Sequence, residues 1–121
     1  MGVQEIDFES DSFADIVAND SRYHPHAYAF LVDTVHFLCK SDNHVSAEEI
    51  MHEFRERALE QYGPLAYTVL TEWGLSNTGD IGEMMLNLVE GHRIRKDEDD
   101  NPDDFLNGYD FAEAFQGPFS V

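Results

Sequence analysis

The chain has 121 residues and sets 25 Asp and Glu against 7 Lys and Arg, a formal net charge of −18. A surface this negative repels phosphate backbones and anionic headgroups, so direct nucleic-acid binding and docking on a membrane surface are not expected. Disorder is excluded from the other side, because 42% hydrophobic residues with 9 Phe, 5 Tyr and 1 Trp supply the bulk of a core that disordered chains lack.

The length suits one domain. Composition divides it into an acidic N-terminal segment with a short helix over residues 1–19, a helical domain over 20–115 and a tail over 116–121. The first stretch has neither a basic region nor an apolar run of signal-peptide type. No apolar run approaches the ~20 residues of a membrane span. Cys39, the sole cysteine, permits no internal disulfide and reads as a buried thiol in a reducing compartment, so the cytoplasm is expected.

A first helix is predicted over Ser10–Asn19, with Phe13, Ile16 and Val17 at helical spacing and Asp11 and Asp15 facing water. The second starts at Pro25 as its first helical residue. Ala27, Phe30, Leu31, Thr34, Val35 and Leu38 mark its buried face, and Asp42-Asn43 ends it. Ser46 and Glu49 form the capping box of the third helix, with Val45 and Ile50 as its hydrophobic staple. Ile50, Met51, Phe54, Ala58 and Tyr62 are its buried stripe, and Gly63 closes it. Pro64 opens a fourth helix carrying Leu65, Val69, Leu70 and Trp73, closed by Gly74, so that the Gly-Pro junction makes a corner. Asn77 caps a fifth helix, stapled by Leu75 and Ile81, with Asp80 in its first turn, Ile81, Met84, Met85, Leu88 and Val89 on its apolar face and Gly91 at its end.

Periodicity then changes. His92-Arg93-Ile94-Arg95-Lys96 alternates like a short strand, an acidic turn follows over Asp97–Asp104, and Phe105-Leu106 reads as a second extended piece. The expected hairpin resembles the wing of a winged helix, spanning about residues 46–106. In the last stretch, Tyr109, Phe111 and Phe115 are spaced to fold back over the core. No internal repeat or interdomain linker is visible.

His24, His26, His36, His44 and His52 raise the question of a metal. No His-Glu-x-x-His or paired-Cys spacing occurs, and the rings of His24 and His26 are expected to diverge across Pro25, so the expected role of His24 is local capping or stacking. The acidic turn fails as a calcium loop. With Asp97, Asp99 and Asn101 at positions one, three and five, Pro102 falls where glycine is required and Gly108 where the bidentate Glu is required. Arg93, Arg95 and Lys96 form the one concentrated basic patch and read as ion-pair partners of that turn. Met51, Met84 and Met85 read as core filling. No phosphate-binding glycine loop or nucleophile elbow is present, and no catalytic residue, metal or cofactor is assigned.

Tyr23-His24-Pro25-His26-Ala27-Tyr28, His44-Val45-Ser46 and the run from Phe54-Arg55 to Gln61-Tyr62-Gly63-Pro64-Leu65-Ala66 carry a resemblance. Val69-Leu70, Trp73-Gly74, Gly82-Glu83, Asn87-Leu88-Val89 and Tyr109–Phe115 extend it. Together they resemble an uncharacterised bacterial family found mainly in planctomycetes and verrucomicrobia, over roughly residues 20–115. The resemblance implies no activity and carries over no catalytic residue. It does imply that residues 1–19 are the more dispensable part.

The reading is a mainly α domain of five or six helices with a small β-hairpin and a winged-helix-like second half. Its expected function is non-enzymatic: a cytoplasmic protein–protein interaction or regulatory module with a basic protein partner. The expected contact residues are Tyr23, His24, His26, Tyr28, Phe111 and Phe115, as an exposed aromatic patch with acidic flanks. Two other classes are an acidic mimic of nucleic acid that binds a DNA-binding protein, and a metal-dependent enzyme using His24 and His26.

Overall fold

The computed structural model describes residues 13–39, 45–91, 102–106 and 108–119. Among these, six α-helices follow in chain order: α1 (Ala14–Asn19), α2 (Pro25–Cys39), α3 (Ala47–Tyr62), α4 (Ala66–Glu72), α5 (Thr78–Glu90) and α6 (Phe111–Gln116). Short 3-10 turns occupy Gly63–Leu65, Pro102–Phe105 and Gly117–Phe119. No helix is long and apolar enough to cross a membrane among the described residues.

The mainly α class stands, but the hairpin and the winged-helix-like second half do not. No strand occurs among the described residues. Phe105, read as extended, ends the 3-10 turn that Pro102 begins, and the Leu106 N–H bonds back to the Asp103 carbonyl at 3.0 Å. Phe105 is buried and Leu106 is 54% exposed. That in–out alternation is what a two-residue strand would show, and the end of a tight turn produces it equally well. Residues 92–101, with the expected first strand, the basic patch and most of the acidic turn, lie outside the described residues. So do residues 40–44, where the end of the second helix was expected.

The capping chemistry is as read. Ser46 Oγ accepts from the Glu49 N–H at 3.1 Å, and Glu49 Oε1 accepts from the Ser46 N–H at 3.2 Å. Asn77 does the same for α5, with Asp80 in the position usually held by Glu. The shorter Asp80 carboxylate still reaches back to the Asn77 N–H at 3.2 Å. Gly63 ends α3 with φ +52, and nothing crowds the place where its Cβ would be. Glycine is required there for its backbone freedom alone.

One core unites the helices. It draws Phe13 and Ile16 of the first segment together with Phe54, Leu70, Ile81, Phe105 and Phe115. Phe13 and Ile16, within the segment expected over residues 1–19, thus share the core of the helical domain. Phe13 stands just before α1 with φ 52, a left-handed conformation unusual for a bulky residue. Its ring is buried and stacks on Tyr28 with centroids 6.0 Å apart. Met51, Met84 and Met85 are buried, as expected of core filling. Leu65, expected on the apolar face of the fourth helix, is 64% exposed. The 3-10 turn it occupies precedes α4 and shifts the register, so Ala66 and Leu70 carry the buried face instead. Cys39 is half-buried at the end of α2.

Candidate functional site

Four of the six expected contact residues have interior rings. Tyr23 and Tyr28 are 2% and 0% exposed, and Phe111 and Phe115 are 4% and 0%. They cannot form the exposed aromatic patch anticipated for them. Only His24 and His26 of the six lie at the surface.

The two tyrosines, Tyr23 just before α2 and Tyr28 in its first turns, form a latch to helix α5. Tyr23 donates its hydroxyl to Asp80 Oδ1 at 2.6 Å. The other Asp80 oxygen accepts from the N–H and hydroxyl of Ser76, at 2.8 and 3.1 Å, and from the Asn77 N–H. Asn87 Nδ2 donates to the Tyr28 hydroxyl at 2.9 Å and to Asp20 Oδ2 at 3.0 Å. Arg22 closes the network with Nε and Nη2 bonds to Asp20 at 2.8 and 2.6 Å, and its Nη2 lies 3.4 Å from Glu83.

Burial and these bonds together set the protonation of the latch. The Arg22 hydrogen bonds hold the Asp20 carboxyl well below the usual carboxylate range. Burial pushes the hydroxyls of Tyr23, Tyr28 and Tyr109 above the usual tyrosine range, helped at Tyr23 by the Asp80 carboxylate. A raised tyrosine contributes stability that is complete below the unfolded value of about 10 and is lost as pH rises through the folded value. A lowered carboxylate contributes stability that is present above about 4 and is lost as pH falls through the folded value. On alkaline titration, tyrosinate absorbance should therefore account for at most two of the 5 tyrosines before the helical signal disappears. Ionisation of all of them near pH 10 in a fully helical protein would show that the latch does not form.

His24 caps α2. Its Nδ1 accepts from the His26 N–H at 3.0 Å, and its own N–H donates to the Trp73 carbonyl at 3.0 Å. The two imidazoles do not diverge across Pro25 as expected; their centroids lie 4.7 Å apart at a tilt of 53°. His26 meets Trp73 edge-on, and Trp73 in turn contacts Phe30 and Tyr62. The pair is nevertheless a poor chelate in this geometry. An Nδ1 that accepts a hydrogen bond leaves the proton of neutral His24 on Nε2, so the ring has no second lone pair to give. No group of three or more His, Cys, Asp or Glu suited to hold a metal occurs among the described residues.

A concave surface lies where the start of α5 meets the residues around Tyr109. A cleft of about 610 Å³ is lined by Asn77, Thr78 and Gly79 at the start of α5 together with Leu106, Tyr109 and Asp110. A second, of about 600 Å³, shares Tyr109 and Asp110 and is continued by Arg55, Glu113, Ala114, Gly117 and Pro118. The shared Tyr109 is fixed from below. Its hydroxyl donates to the Met51 carbonyl at 3.0 Å, and its ring packs against Phe111 at 6.0 Å and Phe115 at 5.9 Å. Asp110 caps α6 by accepting from the Glu113 N–H at 3.0 Å. Leu106, Tyr109, Ala114 and Pro118 give the groove its apolar members. Asp110 and Glu113 line it as exposed acids, while Asp103 and Asp104 are exposed in the turn that leads into Leu106.

Phe111 and Phe115, expected in the contact surface, lie beneath it and support it. The signal was present in Asp110-x-x-Glu113, an N-cap pattern that starts a helix at Phe111 and turns the preceding residues outward. Comparison with protein-family models, curated proteins and solved structures finds no match, so the chemistry of the groove stands on its own geometry.

Proposed function

We propose that the chain works by contact, as a module that holds a basic segment of a partner protein. The observation that carries this reading is the groove across Tyr109 and Asp110, which has apolar members and an acidic rim on a chain of net charge −18. Apolar surface gives such a contact its affinity, and the surrounding charge selects the partner and speeds encounter. The wider surface favours the same partner. None of the described carboxylates is buried, and Glu49, Glu53, Glu56 and Glu60 form a solvent-facing row along α3. Against them stand only Arg22, Arg55 and Arg57 among the described residues. A single cysteine fits a reducing compartment such as the cytoplasm.

Calorimetric titration with oligolysine and with oligoglutamate tests the reading. Oligolysine should bind, with affinity falling about ten-fold or more as added salt shortens the screening length. Oligoglutamate should not bind. No uptake of oligolysine at low salt would refute the proposal.

A further inference from the structure

We infer that the segment held in this groove is a basic amphipathic helix, with apolar residues entering the clefts on either side of Tyr109 and Lys or Arg facing the acidic rim. The inference rests on the contact reading above and names the shape of the partner. Recognition of an extended segment by strand addition needs an open sheet edge, and the described residues contain no strand. Recognition of a proline-rich segment needs a surface of several exposed aromatic rings. Here the rings beside Tyr109, those of Phe111 and Phe115, are buried beneath it. Helix-in-groove docking remains, and it asks for apolar anchors at helical spacing on one face and matching charge beside them.

The groove supplies both. Leu106 is 54% exposed in the first cleft, and Pro118 is exposed in the second, next to Phe119, which is 43% exposed. Two separate apolar positions divided by a fixed tyrosine suit two anchors on one helix face. Among the described residues, the one cation lining either cleft is Arg55, which lies 3.8 Å from Glu56 in a partly exposed ion pair. Arg55 therefore opposes a basic occupant, and its removal has a defined sign.

The test compares three probes on the full chain: a short leucine–lysine peptide with helical amphipathicity, the same composition scrambled to remove it, and oligolysine. The amphipathic peptide should bind about ten-fold tighter than the scrambled one, the ratio that burial of one leucine-sized anchor supplies. Leu106→Gln and Pro118→Asp should each remove most of that advantage while leaving the circular dichroism of the protein unchanged. Arg55→Glu should tighten the amphipathic peptide several-fold. Equal affinity for all three probes, or indifference to these substitutions, would overturn the helix proposal and leave the basic-partner reading standing. Binding of none of them would overturn both. Sedimentation showing a dimer that Leu106→Gln converts to monomer would assign the groove to a second copy of this chain and likewise overturn the proposal.

Discussion

Gly74→Ala should destabilise the protein by about 2–4 kcal/mol, among the larger effects of a single methyl group. Two costs add. Gly74 has φ +97, a region that side-chain-bearing residues rarely enter. A Cβ there would also lie 2.1 Å from the Arg22 carbonyl oxygen and 3.2 Å from its carbon. The obstacle is backbone, so no rotamer change relieves it. Arg22 belongs to the latch, and the adjacent Trp73 carbonyl accepts the His24 N–H, so displacement here strains the start of α2 from both sides. Gly63→Ala is the matched control, because φ is also positive there but the space is open. It should cost the backbone strain alone, about 1–2 kcal/mol. Urea unfolding of the two variants decides the matter: a Gly74→Ala cost no greater than that of Gly63→Ala would mean that the α4 terminus does not press on Arg22.

The same glycine shows where a linear sequence stops being legible. Its role as a helix terminator follows from the apolar spacing before it. Its contact with Arg22 joins residues far apart in the chain, and no local pattern encodes that. The helices with strong local signals, α3 with Ser46 and Glu49 and α5 with Asn77, were readable because their caps and apolar stripes are spaced within a few residues. The latch was not. Asn87 sits among apolar residues of α5 and looks like an interruption in the stripe, and only the fold brings it to Asp20 and Tyr28. The stretch around Phe105 misled for a different reason. A two-residue alternation carries too little periodicity to separate a strand from a 3-10 turn, although Pro102 followed by two acids favours a turn. Aromatic residues misled most about the site. Tyr23, Tyr28, Phe111 and Phe115 read as an exposed patch with acidic flanks, but large rings are the natural filling of a small core.

Phe115→Ala should cost about 3–5 kcal/mol, the range for removing a fully buried phenylalanine and leaving its cavity. The ring is 0% exposed and packs against Phe111 at 5.0 Å and Tyr109 at 5.9 Å. Domain stability totals only about 5–15 kcal/mol, so a large part of the folding free energy would be lost. Leu106→Gln, one cleft away and more than half exposed, should change stability by no more than about 0.5 kcal/mol. The two substitutions thus separate the scaffold from the surface it presents. Phe115 should report in denaturant unfolding and Leu106 in peptide affinity. The Phe115 variant should also weaken peptide binding at temperatures where it is still folded, because Tyr109 loses the ring that holds it in place between the clefts. If Phe115→Ala left the unfolding midpoint unchanged and abolished only binding, the phenylalanine would be a contact residue and the buried arrangement of α6 would be wrong. If Leu106→Gln instead lowered the stability by several kcal/mol, the exposed leucine would belong to the core and the groove would lose its anchor.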